Sequence, residues 1–207
     1  MLAHHKYLIE TLVAISKLHE SPSHEHAAKL IANFTRHRSN SKHLVFKARS
    51  VVPAMVKALE SPSDEARKYA CFALQNLAQD KPCRQELAIT PALLCSLCQR
   101  ARQATLPDER LASIHALKNL TDEPANLIPM TNTPECFATL MQIAHASDES
   151  VTEMMQYLGC DALATLSHWF RSIATSGQRI DYTKRGEKPP ADLFVPSLRI
   201  VGYEQWE

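Results

Sequence analysis

Glycine is almost missing from this chain, with four in 207 residues and three of those at or after Gly177. Aromatic residues make up only 6%. Sheet-rich folds take glycine in tight turns and aromatic or β-branched residues in strands, so both shortages argue against an all-β architecture. No apolar run approaches the ~18 residues that a helix needs to cross a bilayer, and no membrane span is expected. The opening Met1-Leu2-Ala3-His4-His5 lacks an apolar stretch followed by small residues, so no secretory signal is expected. A Gly-rich phosphate loop, a nucleophile elbow and a kinase signature are also missing. No catalytic residue and no cofactor are nominated, and the chain reads as non-enzymatic.

What is present is an ordinary globular composition, 45% apolar and 22% charged. The net charge of +1 is unevenly spread: residues 1–50 carry eight Lys/Arg against three Glu, about +5, and the remainder is about −4. That asymmetry is too mild to imply nucleic acid by itself. The six cysteines (Cys71, Cys83, Cys95, Cys98, Cys136, Cys160) stand without secretory features, which favours reduced thiols in cytoplasm or nucleus.

Self-similarity decides the fold class. Ala27-Ala28-Lys29-Leu30-Ile31-Ala32-Asn33-Phe34 aligns without gaps with Ala70-Cys71-Phe72-Ala73-Leu74-Gln75-Asn76-Leu77, and that with Ser113-Ile114-His115-Ala116-Leu117-Lys118-Asn119-Leu120; each step is 43 residues. A fourth copy, Gly159-Cys160-Asp161-Ala162-Leu163-Ala164-Thr165-Leu166, follows after 46, with Thr165 in place of Asn. A second phrase precedes the later copies: Val51-Val52-Pro53-Ala54, Ile89-Thr90-Pro91-Ala92 and Asn132-Thr133-Pro134-Glu135. Proline is tolerated in a first helical turn, where its missing N–H would be unpaired anyway. Glu20-Ser21-Pro22-Ser23 and Glu60-Ser61-Pro62-Ser63 echo each other as turns between helices. Each unit therefore reads as a proline-opened helix, a polar turn and a longer helix. At about 100° per residue, Ala70, Cys71, Leu74 and Leu77 share one arc. One helix pair cannot bury that arc alone, but stacked pairs can.

These phrases resemble the armadillo repeat family, carried by Pro53, Pro91, Pro134 and the A-L-x-N-L phrase at 73–77 and 116–120. Related HEAT repeats share the helix order, and the Asn-Leu phrase favours armadillo. The resemblance implies an all-α, right-handed α-solenoid of about four repeats over residues 1–176, with a C-terminal non-helical extension over 177–207. The glycine that armadillo units usually carry before the proline helix is missing. Residues 6–20 read as the second helix of a unit without its first, as in an array entered part-way or opened by a degenerate cap. The tail divides into a polar linker, 178–192, and an apolar end from Leu193 to Trp206. That end is expected to cap the last repeat, meet a partner or stay disordered.

Candidate binding residues follow from the helical rotation. With the core arc centred near Leu74, Asn76 lies roughly 160° away, beside Phe72 and Tyr69. The same rotation sets Asn119 beside His115, and Asn33 beside Lys29. Asparagine recurring away from the core is not explained by helix propensity. It could bond the neighbouring repeat, or it could form a ladder along a groove. In the armadillo family, asparagine at this place binds the backbone of an extended peptide. An amide offers both donors and an acceptor, which suits a peptide N–H and C=O. The function expected is thus a scaffold or adaptor for a protein partner, with Asn33, Asn76, Asn119, Lys29, Phe72, Tyr69 and His115 as candidate contacts. Alternatively, the groove is filled by the chain's own tail. Nuclear-import adaptors of the family carry tryptophan four residues before each Asn; here stand Lys29, Phe72, His115 and Asp161, so that assignment is weaker.

The basic stretch from Arg36 to Arg49 reads as a solvated loop at a unit junction, favoured near a helix C-terminus, with an acidic protein as the alternative partner. Nucleic acid is disfavoured because no aromatics interleave. Cys95-Ser96-Leu97-Cys98 lacks a second ligand pair for zinc. His24-Glu25-His26 lacks the i, i+4 imidazole pair. No metal site is nominated, and Cys71 and Cys160 read as small core residues in the slot of Ala28 and Ile114.

Overall fold

The 43-residue register reappears as a repeating set of helices. The computed structural model describes residues 6–18, 21–146, 150–176, 180–181 and 200–201. Its helices are α1 (Lys6–Ser16), α2 (Ser23–Thr35), α3 (Arg38–Lys42), α4 (Val51–Ala58), α5 (Asp64–Gln79), α6 (Arg84–Ala88), α7 (Leu93–Gln103), α8 (Pro107–Thr121), α9 (Leu127–Thr131), α10 (Pro134–Ala144) and α11 (Glu153–Ser176). A π-turn, His43–Lys47, continues α3; single 3-10 turns, Lys81–Cys83 and Pro124–Asn126, lead into α6 and α9.

Local chemistry explains the long helices. At the start of α5, the Ala66 N–H donates to Ser63 Oγ at 3.2 Å, and Asp64 and Glu65 follow in the first turn. Both features stabilise a helix N-terminus. Pro107 opens α8, followed by Asp108 and Glu109. The predicted arc is the buried one: Ala70, Cys71, Leu74 and Leu77 are each at most 1% exposed. Each leucine so buried contributes about 2 kcal/mol.

Packing sorts the helices into two rows. α2, α5, α8 and α11 lie side by side in one; in the other, α1 meets α4 and α7 meets α10. Within a unit the rows touch as α1 on α2, α4 on α5, α7 on α8 and α10 on α11. A column of small buried residues, Ala27, Ala70, Ser113 and Gly159, allows this close approach. A Cβ on Gly159 would stand 3.1 Å from Ala144 N and from Ile143 Cγ2. The result is an all-α solenoid, as the repeat required.

Several local expectations need correction. Each complete unit has three helices, because a short one (α3 with its π-turn, α6, α9) joins successive pairs. α1 packs on α2 as α4 packs on α5, so it takes the place of a proline-opened helix and not of the longer helix that the sequence suggested. The basic residues 36–49 lie mostly in α3 and the π-turn rather than in a loop. The short helices carry too little apolar periodicity to be seen. What marks them is a second 43-residue column, Asn40, Cys83 and Asn126. Asn40 Nδ2 donates to Phe34 O at 2.9 Å, and Asn126 Nδ2 to Leu120 O at 3.0 Å, satisfying terminal carbonyls of α2 and α8. Asn126 Nδ2 also reaches Arg84 O of the preceding unit at 3.1 Å.

The three prolines are not equivalent. Pro134 is the first residue of α10, Pro53 the third of α4, and Pro91 precedes α7 altogether. The residue after it, Ala92, has φ 61 and takes the left-handed conformation. That conformation crowds a Cβ against the following carbonyl, at about 1 kcal/mol for a non-glycine residue. Ala92→Gly is expected to raise unfolding stability by about 0.5–1 kcal/mol, part of the gain being offset by the freer unfolded chain. A lower urea midpoint for this variant would contradict the strain.

The two Ser-Pro turns are stitched together. His24 is buried; its Nδ1 lies 2.8 Å from Ser21 O and its Nε2 2.8 Å from Ser61 Oγ. A carbonyl only accepts, so Nδ1 carries the hydrogen that it gives to Ser21 O, while Nε2 pairs with the Ser61 hydroxyl. Ser63 Oγ donates to Glu25 Oε1 at 2.5 Å. His24 and Glu25 thus tie one turn to the next. Cys71 is buried, but Cys160 is exposed. Its slot faces the next unit, and α11 is the last helix among the described residues. Ile180–Asp181 and Ile200–Val201 pair in parallel. The remainder of the 177–207 extension, and the capping role considered for it, lie outside the described residues except for those four and the helix end before them.

Candidate functional site

A cavity of about 410 Å³ opens between α2 and α5, lined by Lys29, Ala32, Asn33, Arg36, Tyr69, Phe72 and Asn76. Five of the seven sequence-selected residues meet there. Lys29 and Asn33 lie on one face of α2, and Arg36, the residue that caps its end in helical conformation, continues that face at spacings of four and three. Tyr69, Phe72 and Asn76 likewise share one face of α5. Lys29, Asn33 and Arg36 are exposed, whereas Tyr69, Phe72 and Asn76 are half-buried. Side chains on α5 thus lie deeper in the cavity than those from α2.

The aromatic rings are ordered by neighbours. Tyr69 and Phe72 meet edge to face with centroids 6.3 Å apart. Lys29 Nζ stands 5.5 Å from the Tyr69 centroid and Lys68 Nζ 5.2 Å from it. Such cation–π contacts hold a cation near an aromatic face at modest energy. Lys68 is also paired with Glu65 at 2.6 Å.

Asn76 bonds the neighbouring repeat and also faces the cavity. Its Nδ2 donates to Thr35 Oγ1 at 3.1 Å and lies 3.5 Å from Ala32 O, so it links α5 to the preceding unit. Asn33 and Asn119 make no side-chain hydrogen bond among the described residues. One of the three asparagines is therefore held by a structural bond, and two are not.

His115 and Asn119 sit one helix further on, on α8, outside this cavity. Both are half-buried. Burial pushes the His115 imidazole below its ordinary range, and the nearby Lys118 ammonium adds to this. The ring is therefore neutral near physiological pH. Lys118 was not selected from sequence, yet it organises this stretch. Its Nζ lies 3.0 Å from Asp122 Oδ1 and 3.1 Å from Asp161 Oδ2, joining α8 to α11. Burial opposes its charge, but hydrogen bonds with both aspartates outweigh that and hold the ammonium above its usual range. Arg84 lies 3.8 Å from Asp122. Charge is balanced here, unlike on the α2–α5 side. Arg36 was seen only as part of a basic stretch; its position seven residues after Lys29 was the available signal that it shares the groove face.

The thiols have other surroundings. Cys98 is buried 3.6 Å from Cys136, while Cys95 is exposed on the outer turn of α7. A second cavity, about 300 Å³, lies beside Cys95 and is lined by Pro91, Ala92, Pro129 and Thr133 among others.

Comparison with known proteins agrees with this architecture. No family model matches the chain. Importin subunit alpha-1b of Oryza sativa subsp. japonica is 27% identical over 186 residues, covering 85% of this chain and 33% of that protein. The chain thus spans about a third of the length of that relative. Among solved structures, an engineered protein superposes with a TM-score of 0.62 at 19% identity, covering 81% of this chain and 68% of the other. That likeness concerns the fold. Together with the relative, it supports an armadillo-like helical repeat.

Proposed function

We propose that this protein is a non-catalytic scaffold or adaptor that holds an extended segment of a partner protein along α2, α5 and α8. The cavity between α2 and α5 carries this reading, because Asn33 and Asn76 line it together with two aromatic rings. Packed helices lie about 8–10 Å apart, and an extended chain rises about 3.3 Å per residue, so successive rungs would meet every second or third residue. Each free amide can pair with a peptide N–H and C=O. The likeness to an importin subunit fits a role in cytoplasm or nucleus and keeps a nuclear-import adaptor as the second reading. Catalysis and metal chemistry have no part in this proposal.

The test is a selection of peptides from a display library, followed by titration of the selected peptides onto single and triple variants. Asn33→Ala, Asn76→Ala and Asn119→Ala together are expected to weaken binding by tenfold or more, at about 1 kcal/mol for each lost pair of hydrogen bonds. Stability separates the three. Asn76→Ala should cost about 1 kcal/mol through its lost bond to Thr35, and the other two close to nothing. Peptide affinities that ignore all three substitutions would sink the groove reading.

A further inference from the structure

The α2–α5 groove is cationic, and its two lining cations meet no carboxylate among the described residues. Lys29 and Arg36 both line the cavity, and none of its seven lining residues is acidic. Both are exposed, and neither makes an ion pair among the described residues. Seven residues of helix separate them by about 10 Å along the axis, with Asn33 between. A chain crossing α2 at Asn33 would therefore run with Lys29 on one bank and Arg36 on the other. Nearby, Arg38 Nη2 donates to Gln79 O at the end of α5 at 3.3 Å, so more positive charge is held at this edge. The next step of the row is different: Lys118 is already neutralised by Asp122 and Asp161.

We infer that the groove selects an acidic segment, whose carboxylates are taken by Lys29 and Arg36 while Asn33 and Asn76 hold its backbone. This rests on the peptide-groove reading above and names the class of partner. Side chains of an extended chain alternate between its two sides, so adjacent Asp or Glu residues would reach opposite banks. The apolar stem of a glutamate, or an aromatic neighbour, can lie on Phe72 and Tyr69. Selectivity is confined to the part of the segment over α2 and α5, because Lys118, beside Asn119, already meets Asp122 and Asp161. A lysine-rich segment would place like charges against both banks, which discriminates against it.

The experiment is fluorescence anisotropy of the full chain with three labelled ten-residue peptides that share a Leu and a Tyr and differ in being Glu-rich, Gln-rich or Lys-rich. The Glu-rich peptide is expected to bind roughly tenfold tighter than the Gln-rich one at low salt, and less so as salt screens the pairs. Lys29→Glu with Arg36→Glu should abolish that preference and bring the Lys-rich peptide ahead. The milder Lys29→Gln with Arg36→Gln should erase the preference without reversing it. Both sites are exposed, and an unchanged circular dichroism melt confirms that each variant is folded. Equal or tighter binding of the Gln-rich or Lys-rich peptide, still lost with Asn33→Ala and Asn76→Ala, overturns the acidic preference and leaves the groove reading standing. Acidic binding indifferent to the Lys29 and Arg36 substitutions places the contact elsewhere and overturns the inference as well. Absence of Asn-dependent binding by all three peptides overturns the inference and the groove reading together.

Discussion

Replacing Glu109 with alanine is expected to lower unfolding stability by about 3 kcal/mol, the usual cost of removing one partner from a buried ion network. Glu109 sits in the first turn of α8 with its side chain fully buried. Its Oε1 lies 3.3 Å from Arg67 Nε on α5 and 3.6 Å from Arg100 Nη1 on α7, so one carboxylate ties three helices. Arg67 and Arg100 are themselves only 12% and 13% exposed. Alanine would leave both guanidinium groups in poor contact with water and short of an acceptor. Arg67 would keep Asp64 and the carbonyls of Ser61 and Pro62, which limits the loss. Glu109→Gln keeps the volume and an acceptor oxygen, and should cost less than about 1 kcal/mol. Urea unfolding of the two variants checks the difference; equal losses would mean that charge, not orphaned arginine, dominates.

The pH dependence has a definite sign. Burial pushes the Glu109 carboxyl above the ordinary carboxylate range, although Arg67 and Arg100 pull the other way. The folded state therefore holds this proton more tightly than the unfolded chain. Between the unfolded and folded pKa values, folding takes up protons, and the contribution to stability falls as pH rises through that window. Relative to Glu109→Gln, the natural chain should lose stability from the acid side of that window toward neutral pH. A difference that grows in favour of the natural chain over this range would show that the arginines outweigh desolvation.

A second large effect is expected at Leu117, where alanine should cost about 3 kcal/mol. Leu117 is fully buried on α8, the helix that packs against α5, α7 and α11. In a stacked array each unit is stable only through its neighbours, so a cavity in a middle unit weakens both interfaces. Two residues along, Asn119→Ala should leave the melt almost unchanged, because that side chain is half-buried and makes no hydrogen bond among the described residues. Thermal melts of the two variants make a direct check on the rotation that assigned them. Similar losses at both positions would contradict it.

The A-L-x-N-L phrase shows what could be read without coordinates. Its leucines repeat at the helical period and its small residues repeat at the unit period, and both signals are local. They determined the helices of the row that contains α2, α5, α8 and α11, the solenoid, and the side of each helix on which the asparagines stand. Lys29, Asn33, Tyr69, Phe72 and Asn76 are therefore legible from rotation alone, and they line one cavity. The short helices were not legible, because Arg38–Lys42 has no apolar stripe; what holds such a segment in place is Asn40 reaching back to Phe34 O. The misreading of Cys160 has a related cause: a slot in the repeat is buried only where another unit covers it.

The amino-acid pattern by itself thus determined the repeat, the buried arc and the face on which the asparagines stand, since each depends on rotation about a single helix. Tertiary structure decided everything that depends on two helices. It set Asn76 against Thr35, gave Lys118 its aspartates across α8 and α11, and gathered Arg67, Arg100 and Glu109 from three helices. It also left Lys29 and Arg36 facing an open groove with no carboxylate to meet them. Periodicity gives the direction in which a side chain points, and only packing gives the group that stands opposite it.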